Sequence, residues 1–207
     1  MKEKEKSSVK TSPSGETVNY FATLGASNHS SSTRHADDYY ATDPIAVDLL
    51  LSKYKGLGHN ILEPCCGEGH ISKQLIAHGY TVISEDLIYR GYGKGGCDFL
   101  KRLQLPSGIS SIVTNFPFKL VLDCTLHALS LLPEKGVLAS FVRLNFLEGQ
   151  ERYQKLFSVT PPKHVFVFPK RIRCGKDGIF PDTSAVAYSW LVFEKGWSGS
   201  STLDWLS

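Results

Sequence analysis

The apolar run Ile109 to Val113, followed by Thr114-Asn115-Phe116-Pro117-Phe118, reads as a buried strand that Pro117 stops. Similar runs predict strands around Asn60 to Glu63, at Thr81 to Ser84, from Gly136 to Val142, from His164 to Phe168 and from Ala185 to Phe193. Between them lie stretches with helical spacing. Thr42 or Asp43 followed by Pro44 starts a helix carrying Ile45, Val47, Leu49, Leu50 and Leu51, finished by Gly56. A second helix follows a glycine turn at Gly67 and Gly69 and runs to His78. Leu120 to Leu132 makes a strongly apolar third, and Glu148 to Phe157 a polar-faced fourth. Residues 91–96 are a Gly-rich loop and 170–184 a basic loop with Gly and Pro.

Strands that alternate with helices predict a Rossmann-like, doubly wound α/β domain with a mainly parallel sheet. No helical pattern separates 164–168 from 185–193, so these two are expected as antiparallel neighbours at one edge. Residues 1–35 are rich in Lys, Glu, Ser, Thr and Asn and read as a flexible tail. Order begins near Asp37, the domain spans 36–196, and 197–207 follow as a C-terminal tail.

Composition narrows the class only a little. The 207 residues are 42% hydrophobic and 21% charged, as in ordinary globular proteins. No apolar run approaches the roughly 18 residues of a membrane span, and the Lys-rich start lacks an apolar follow-on, so a cytosolic protein is expected. Five cysteines without a CxxC pair argue against a disulfide framework or a zinc site. A net charge of +3 permits a polyanionic partner without demanding one.

Candidate chemistry gathers at strand ends, where open α/β sheets bind ligands. Gly67 and Gly69 sit between a strand and a helix and let backbone approach a ligand closely. Ser72 stands where a dinucleotide fingerprint has its third glycine, and Glu63 disfavours a phosphate beside the turn, both of which argue against a nicotinamide enzyme. Asp86 lies about 20 residues past the glycines, the separation of a ribose-binding carboxylate, with Glu85 competing for the role. Asp98 and Phe99 pair a carboxylate with a ring. Asn115 offers an amide acceptor, and Phe118 reads as an exposed ring beside it. Cys65 and Cys66 have no adjacent base and read as packing residues, and His127 as a core or surface histidine.

Glu63-Pro64-Cys65-Cys66-Gly67-Glu68-Gly69 resembles the first signature motif of S-adenosylmethionine-dependent methyltransferases, and Asn115-Phe116-Pro117-Phe118 resembles the (Asp/Asn)-Pro-Pro-(Tyr/Phe) motif of amino-methylating enzymes. Tyr39-Tyr40-Ala41-Thr42-Asp43-Pro44 is similar to the motif that precedes the first in those enzymes. The chain most resembles small phage-type adenine-N6 DNA methyltransferases over residues 37–195. The resemblance implies a class I methyltransferase fold with S-adenosylmethionine as cofactor. Glu63, Cys65, Gly67 and Gly69 would line its methionine end, Asp86 would hold its ribose, Asp98 and Phe99 its adenine, Tyr40, Ala41 and Thr42 would close over the methionyl group, and Pro64 and Leu87 would also be cofactor-binding. Asn115, Phe116, Pro117 and Phe118 would hold the target amino group and stack on the flipped base. Phe116 departs from the motif, which has Pro there, so the fixed φ of Pro is lost.

Lys119, Arg143, Lys170, Arg171 and Arg173 are the candidate nucleic-acid contacts, with 163–180 as a phosphate-contacting edge. Three function classes follow: a DNA adenine methyltransferase working as monomer or homodimer, the same chemistry on RNA or a protein glutamine amide, and a cofactor-binding module without activity.

Overall fold

The computed structural model describes residues 39–207 apart from Asp177 and Thr183. The tail expected over 1–35 and the onset of order near Asp37 lie outside the described residues. In chain order the first half comprises β1 (Tyr40–Thr42), α1 (Ile45–Lys53), β2 (Asn60–Glu63), α2 (His70–Ala77), β3 (Thr81–Ser84) and β4 (Ser111–Thr114). The second half comprises α3 (Val121–Leu131), β5 (Val137–Arg143), α4 (Gln150–Arg152), β6 (His164–Val167), β7 (Cys174–Lys176), β8 (Tyr188–Glu194) and β9 (Thr202–Trp205).

Seven strands form one sheet in the order β3-β2-β4-β5-β8-β6-β9. The first four run parallel. β8 runs antiparallel to β5 from Val137↔Glu194 to Arg143↔Tyr188, and antiparallel to β6, which confirms the pairing expected for 164–168 and 185–193. Strand alternation sorts the core into two layers. Ile61, Val113, Ala139, Phe141, Trp190 and Val192 face one side with α1 and α2. Leu62, Ile112, Leu138, Val142, Leu191 and Phe193 face the other with α3. The indole of Trp190 donates to Ala46 O at 2.8 Å and so pins α1 to the sheet.

Three expectations are corrected. Residues 202–205 are an edge strand parallel to β6, not a tail, and Leu206 beyond them is buried. The loop 170–184 contains β7, which pairs with β1 in a separate two-stranded sheet. The fourth helix widens into a π-helical turn at Tyr153–Phe157, where Ser158 N donates to Tyr153 O, five residues back, at 2.9 Å.

The strand order reverses between β2 and β4, and the loops leaving their C-terminal ends are 64–69 and 115–118. That switch point is where a doubly wound sheet opens a crevice.

Candidate active site

The crevice is a cavity of about 350 Å³, within the range of small-molecule sites. Its wall contains Glu63, Pro64 and Cys65 after β2, Asp86 and Leu87 after β3, Asp98 and Phe99, and Asn115 to Lys119 after β4. Tyr40, Ala41 and Thr42 close it from β1. The two loops singled out in the sequence therefore share one space.

The glycine turn is shaped by what lies on it. Gly67 (φ 52°) and Gly69 (φ 82°) are left-handed, and a Cβ on Gly67 would come within 2.1 Å of the Tyr39 ring. These two glycines thus build the turn, while their neighbours form the cavity wall. Gly67 N donates to Asp86 Oδ2 at 2.8 Å, and Ile88 N to Asp86 Oδ1 at 2.9 Å, which orients that carboxylate. Glu85, the competitor, is ion-paired with Arg102 and is absent from the wall among the described residues.

Glu63 is 1% exposed, and the Ser72 hydroxyl donates to its Oε2. That hydroxyl also lies 2.6 Å from the hydroxyl of Ser84. Burial, with Asp86 nearby, pushes the Glu63 carboxyl up to about 8. Ser72, the residue that spoils the dinucleotide fingerprint, is thus the partner of the buried acid.

Asp98 accepts from Leu100 N at 3.1 Å and pairs with Lys101 at 3.1 Å. Phe99 and Phe116 stack at 5.5 Å with both rings buried. Cys65, Cys66, Cys97 and Cys124 all line the cavity. Burial pushes Cys66 and Cys124 up to about 12 and Cys65 well above its usual range, so these are neutral packing thiols.

Asn115 is held in one orientation. Its Nδ2 donates to Tyr40 O and to Thr42 Oγ1, both at 3.1 Å. A carbonyl oxygen only accepts, so the amino end of the amide must face Tyr40. Asn115 Oδ1 is then left buried without a partner. A buried orphan acceptor costs roughly 1–3 kcal/mol, and it marks a place where a donor belongs.

Phe118 is a correction. Its ring is half-buried, 5.2 Å from that of Tyr40, with the Arg143 guanidinium 4.0 Å above its centroid. Arg173 is engaged too: its Nη2 and Nε lie 2.7 and 2.9 Å from Asp43 Oδ2, which clamps β7 to the end of β1. Lys119 lies in the cavity wall, while Lys170 and Arg171 are exposed in the loop after β6.

The wall also holds Tyr39, His70 and Arg90, which the sequence reading did not single out. Tyr39 opens the motif quoted before the first signature, and His70 stands directly after Gly69. Its Nδ1 is buried without a partner, and burial lowers its pKa.

Among solved structures the chain is similar to a protein from Listeria monocytogenes assigned to the class I S-adenosylmethionine-dependent methyltransferases, with 16% identity and a TM-score of 0.56 over 91% of this chain and 71% of that one. The fold is the class I methyltransferase fold. A protein from Lactococcus lactis assigned as a hemolysin matches at 13% identity and TM-score 0.54, covering 78% of this chain and 91% of its own. A modification subunit assigned to a type I restriction enzyme of Vibrio vulnificus matches at 14% and 0.50, covering 91% of this chain and 50% of that one. No protein-family model matches the sequence, and no curated protein is close enough to count as a match. Among the described residues no helix is long and apolar enough to cross a membrane.

Proposed function

We propose that this chain transfers a methyl group from S-adenosylmethionine to the exocyclic N6 amino group of adenine in DNA. The observation that carries this reading is the orientation of Asn115: its amino end is fixed by Tyr40 and Thr42, and its Oδ1 is buried without a partner in a residue of the shared wall. An exocyclic amino group is the kind of donor that acceptor lacks.

The cavity suits the cofactor on its own terms. Two acids, Glu63 and Asp86, stand in its wall, and a cation bound there would favour the ionised form that burial disfavours in Glu63. Glu63, Asp86 and the strap Tyr40–Thr42 are the residues that would hold it. When bound, it supplies a methyl group already activated on a sulfonium.

The chain's own part is positioning. The lone pair of an aromatic amino nitrogen is delocalised into its ring, which makes it a weak nucleophile. Asn115 Oδ1, together with the main-chain carbonyl of Phe116, would accept both amino hydrogens and localise the lone pair towards the methyl. Phe118, with Arg143 on its face, forms the aromatic side of the target site. Because the target base is stacked in duplex DNA, it must leave the stack to reach this depth. Mass spectrometry of modified nucleosides in DNA and RNA from an expressing host tests the reading. N6-methyladenine in DNA that disappears with Asn115→Ala supports it. Methylation confined to RNA moves the substrate, and neither mark together with tight cofactor binding leaves a binding module.

A further inference from the structure

Among the described residues Glu63 is the most deeply buried acid of the cavity wall and has no cationic partner of its own. Its hydrogen bonds come from Ser72, whose hydroxyl is shared with Ser84 on β3. The titratable groups that face it are Asp86 after β3 and Cys65 and Cys66 in its own turn. Among the described residues no lysine, arginine or histidine is among the groups that shift it. The remaining charged wall residues, Arg90, Asp98 and Lys119, and the neutral His70 on α2 belong to other elements of the cavity.

We infer that Glu63 is a charge sensor: it is protonated in the empty cavity, releases its proton to solvent when a sulfonium-bearing cofactor enters, and takes one back when the thioether product remains. The inference rests on the reading of this cavity as the S-adenosylmethionine site. The reasoning is electrostatic. Burial is the main force holding Glu63 neutral, and a ligand with no net positive charge, its α-ammonium offset by its own α-carboxylate, leaves that balance in place. A positive charge placed in the same low-dielectric space reverses that balance, since an opposite charge within several ångströms favours the ionised carboxyl. Cofactor and product differ by one charge, at the sulfur. Glu63 would therefore bind the first more tightly than the second, and the site would favour product release without a moving part.

Isothermal titration calorimetry of the wild-type chain in phosphate and in Tris at pH 7 counts protons exchanged on binding. The expected result is release approaching one proton for S-adenosylmethionine and for sinefungin, which carries an ammonium in place of the sulfonium. S-adenosylhomocysteine should release distinctly less. Below pH 8 the affinity for S-adenosylmethionine should rise by up to about tenfold per pH unit, as single-proton linkage requires. Glu63→Gln should abolish the release and bring the two affinities to within about threefold of each other, a difference of under 1 kcal/mol. Ser72→Ala removes a hydrogen bond that favours the carboxylate, so it should move the release to higher pH. Equal proton counts for the cofactor and its product in the wild-type chain overturn the inference and leave the cofactor assignment standing. Discrimination retained by Glu63→Gln overturns it in the same way. Failure of the wild-type chain to bind either compound removes the cofactor assignment and this inference with it.

Discussion

Replacing Asn115 separates its two jobs. Asn115→Ala deletes two hydrogen bonds to the strap, to Tyr40 O and Thr42 Oγ1, each at 3.1 Å. At about 1 kcal/mol net per bond that is a loss of roughly 2 kcal/mol. The same change also removes the orphan Oδ1, whose burial costs about 1–3 kcal/mol, so the two nearly cancel. The folded chain should melt within about 4 °C of the wild type, while methyl transfer falls by at least about a hundredfold, as for loss of one preorganised polar group. Asn115→Asp discriminates further. It keeps an acceptor oxygen but turns another towards the Tyr40 carbonyl, where two acceptors oppose each other, so it should be less stable than Asn115→Ala. Differential scanning fluorimetry and radiolabelled methyl transfer to DNA measure both. An Asn115→Ala enzyme within tenfold of wild-type turnover, or an Asn115→Asp protein more stable than the alanine variant, would refute the amide orientation.

Glu63 makes wild-type stability fall as pH rises. Its carboxyl stays protonated in the fold up to about 8 but ionises in the unfolded chain above about 4.5, so stability is lost across that window at roughly 1.4 kcal/mol per pH unit. Urea melts at pH 5 and pH 7 should show a wild-type loss of roughly 2–3 kcal/mol that Glu63→Gln does not share, and parallel profiles would contradict it. Gly67→Ala meets a φ of 52° and the Tyr39 ring at 2.1 Å. It should cost about 1–2 kcal/mol in backbone strain and displace the strap, which calorimetry would register as cofactor affinity weakened by about tenfold or more. Deleting residues 202–207 removes β9 and the buried Leu206. A melting temperature lower by at least about 5 °C is expected, corresponding to roughly 2 kcal/mol, whereas a tail would be lost without effect.

The central strands were legible because they are buried on both faces, so period-two sorting and continuous apolar runs coincide. Trp190-Leu191-Val192-Phe193 sends successive residues into opposite layers, and all four are fully buried. The two-layer helix arrangement follows directly. β9 escaped because Thr202-Leu203-Asp204-Trp205 lies at the sheet edge, mostly exposed, and has no apolar run to show. β1 and β7 are three residues each, too short for any period. The partners of the basic residues were hidden for a different reason. Charge says where a side chain can be solvated, but Arg173 has a buried acid within reach across 130 residues, and Arg143 has a ring below it. Long-range partners of that kind belong to the tertiary fold.

The departures from the methyltransferase motifs acquire a physical meaning in the fold. Pro at position 116 would hold the loop by fixing one backbone angle. Phe116 holds it by a different route: its ring is 1% exposed and stacks on Phe99, the neighbour of Asp98 in the cavity wall. The loop after β4 is thereby tied to the segment that the resemblance assigns to the cofactor's adenine. A proline would hold the loop locally, whereas the phenylalanine couples its position to that of the opposite wall. Ser72 follows the same logic, since the glycine it replaces would leave the buried Glu63 without its hydroxyl partner. In both places the substituted side chain makes a contact that the more usual residue could not. The cavity's shape at one position and its charge at the other therefore depend on residues that, seen in sequence, weaken the motif.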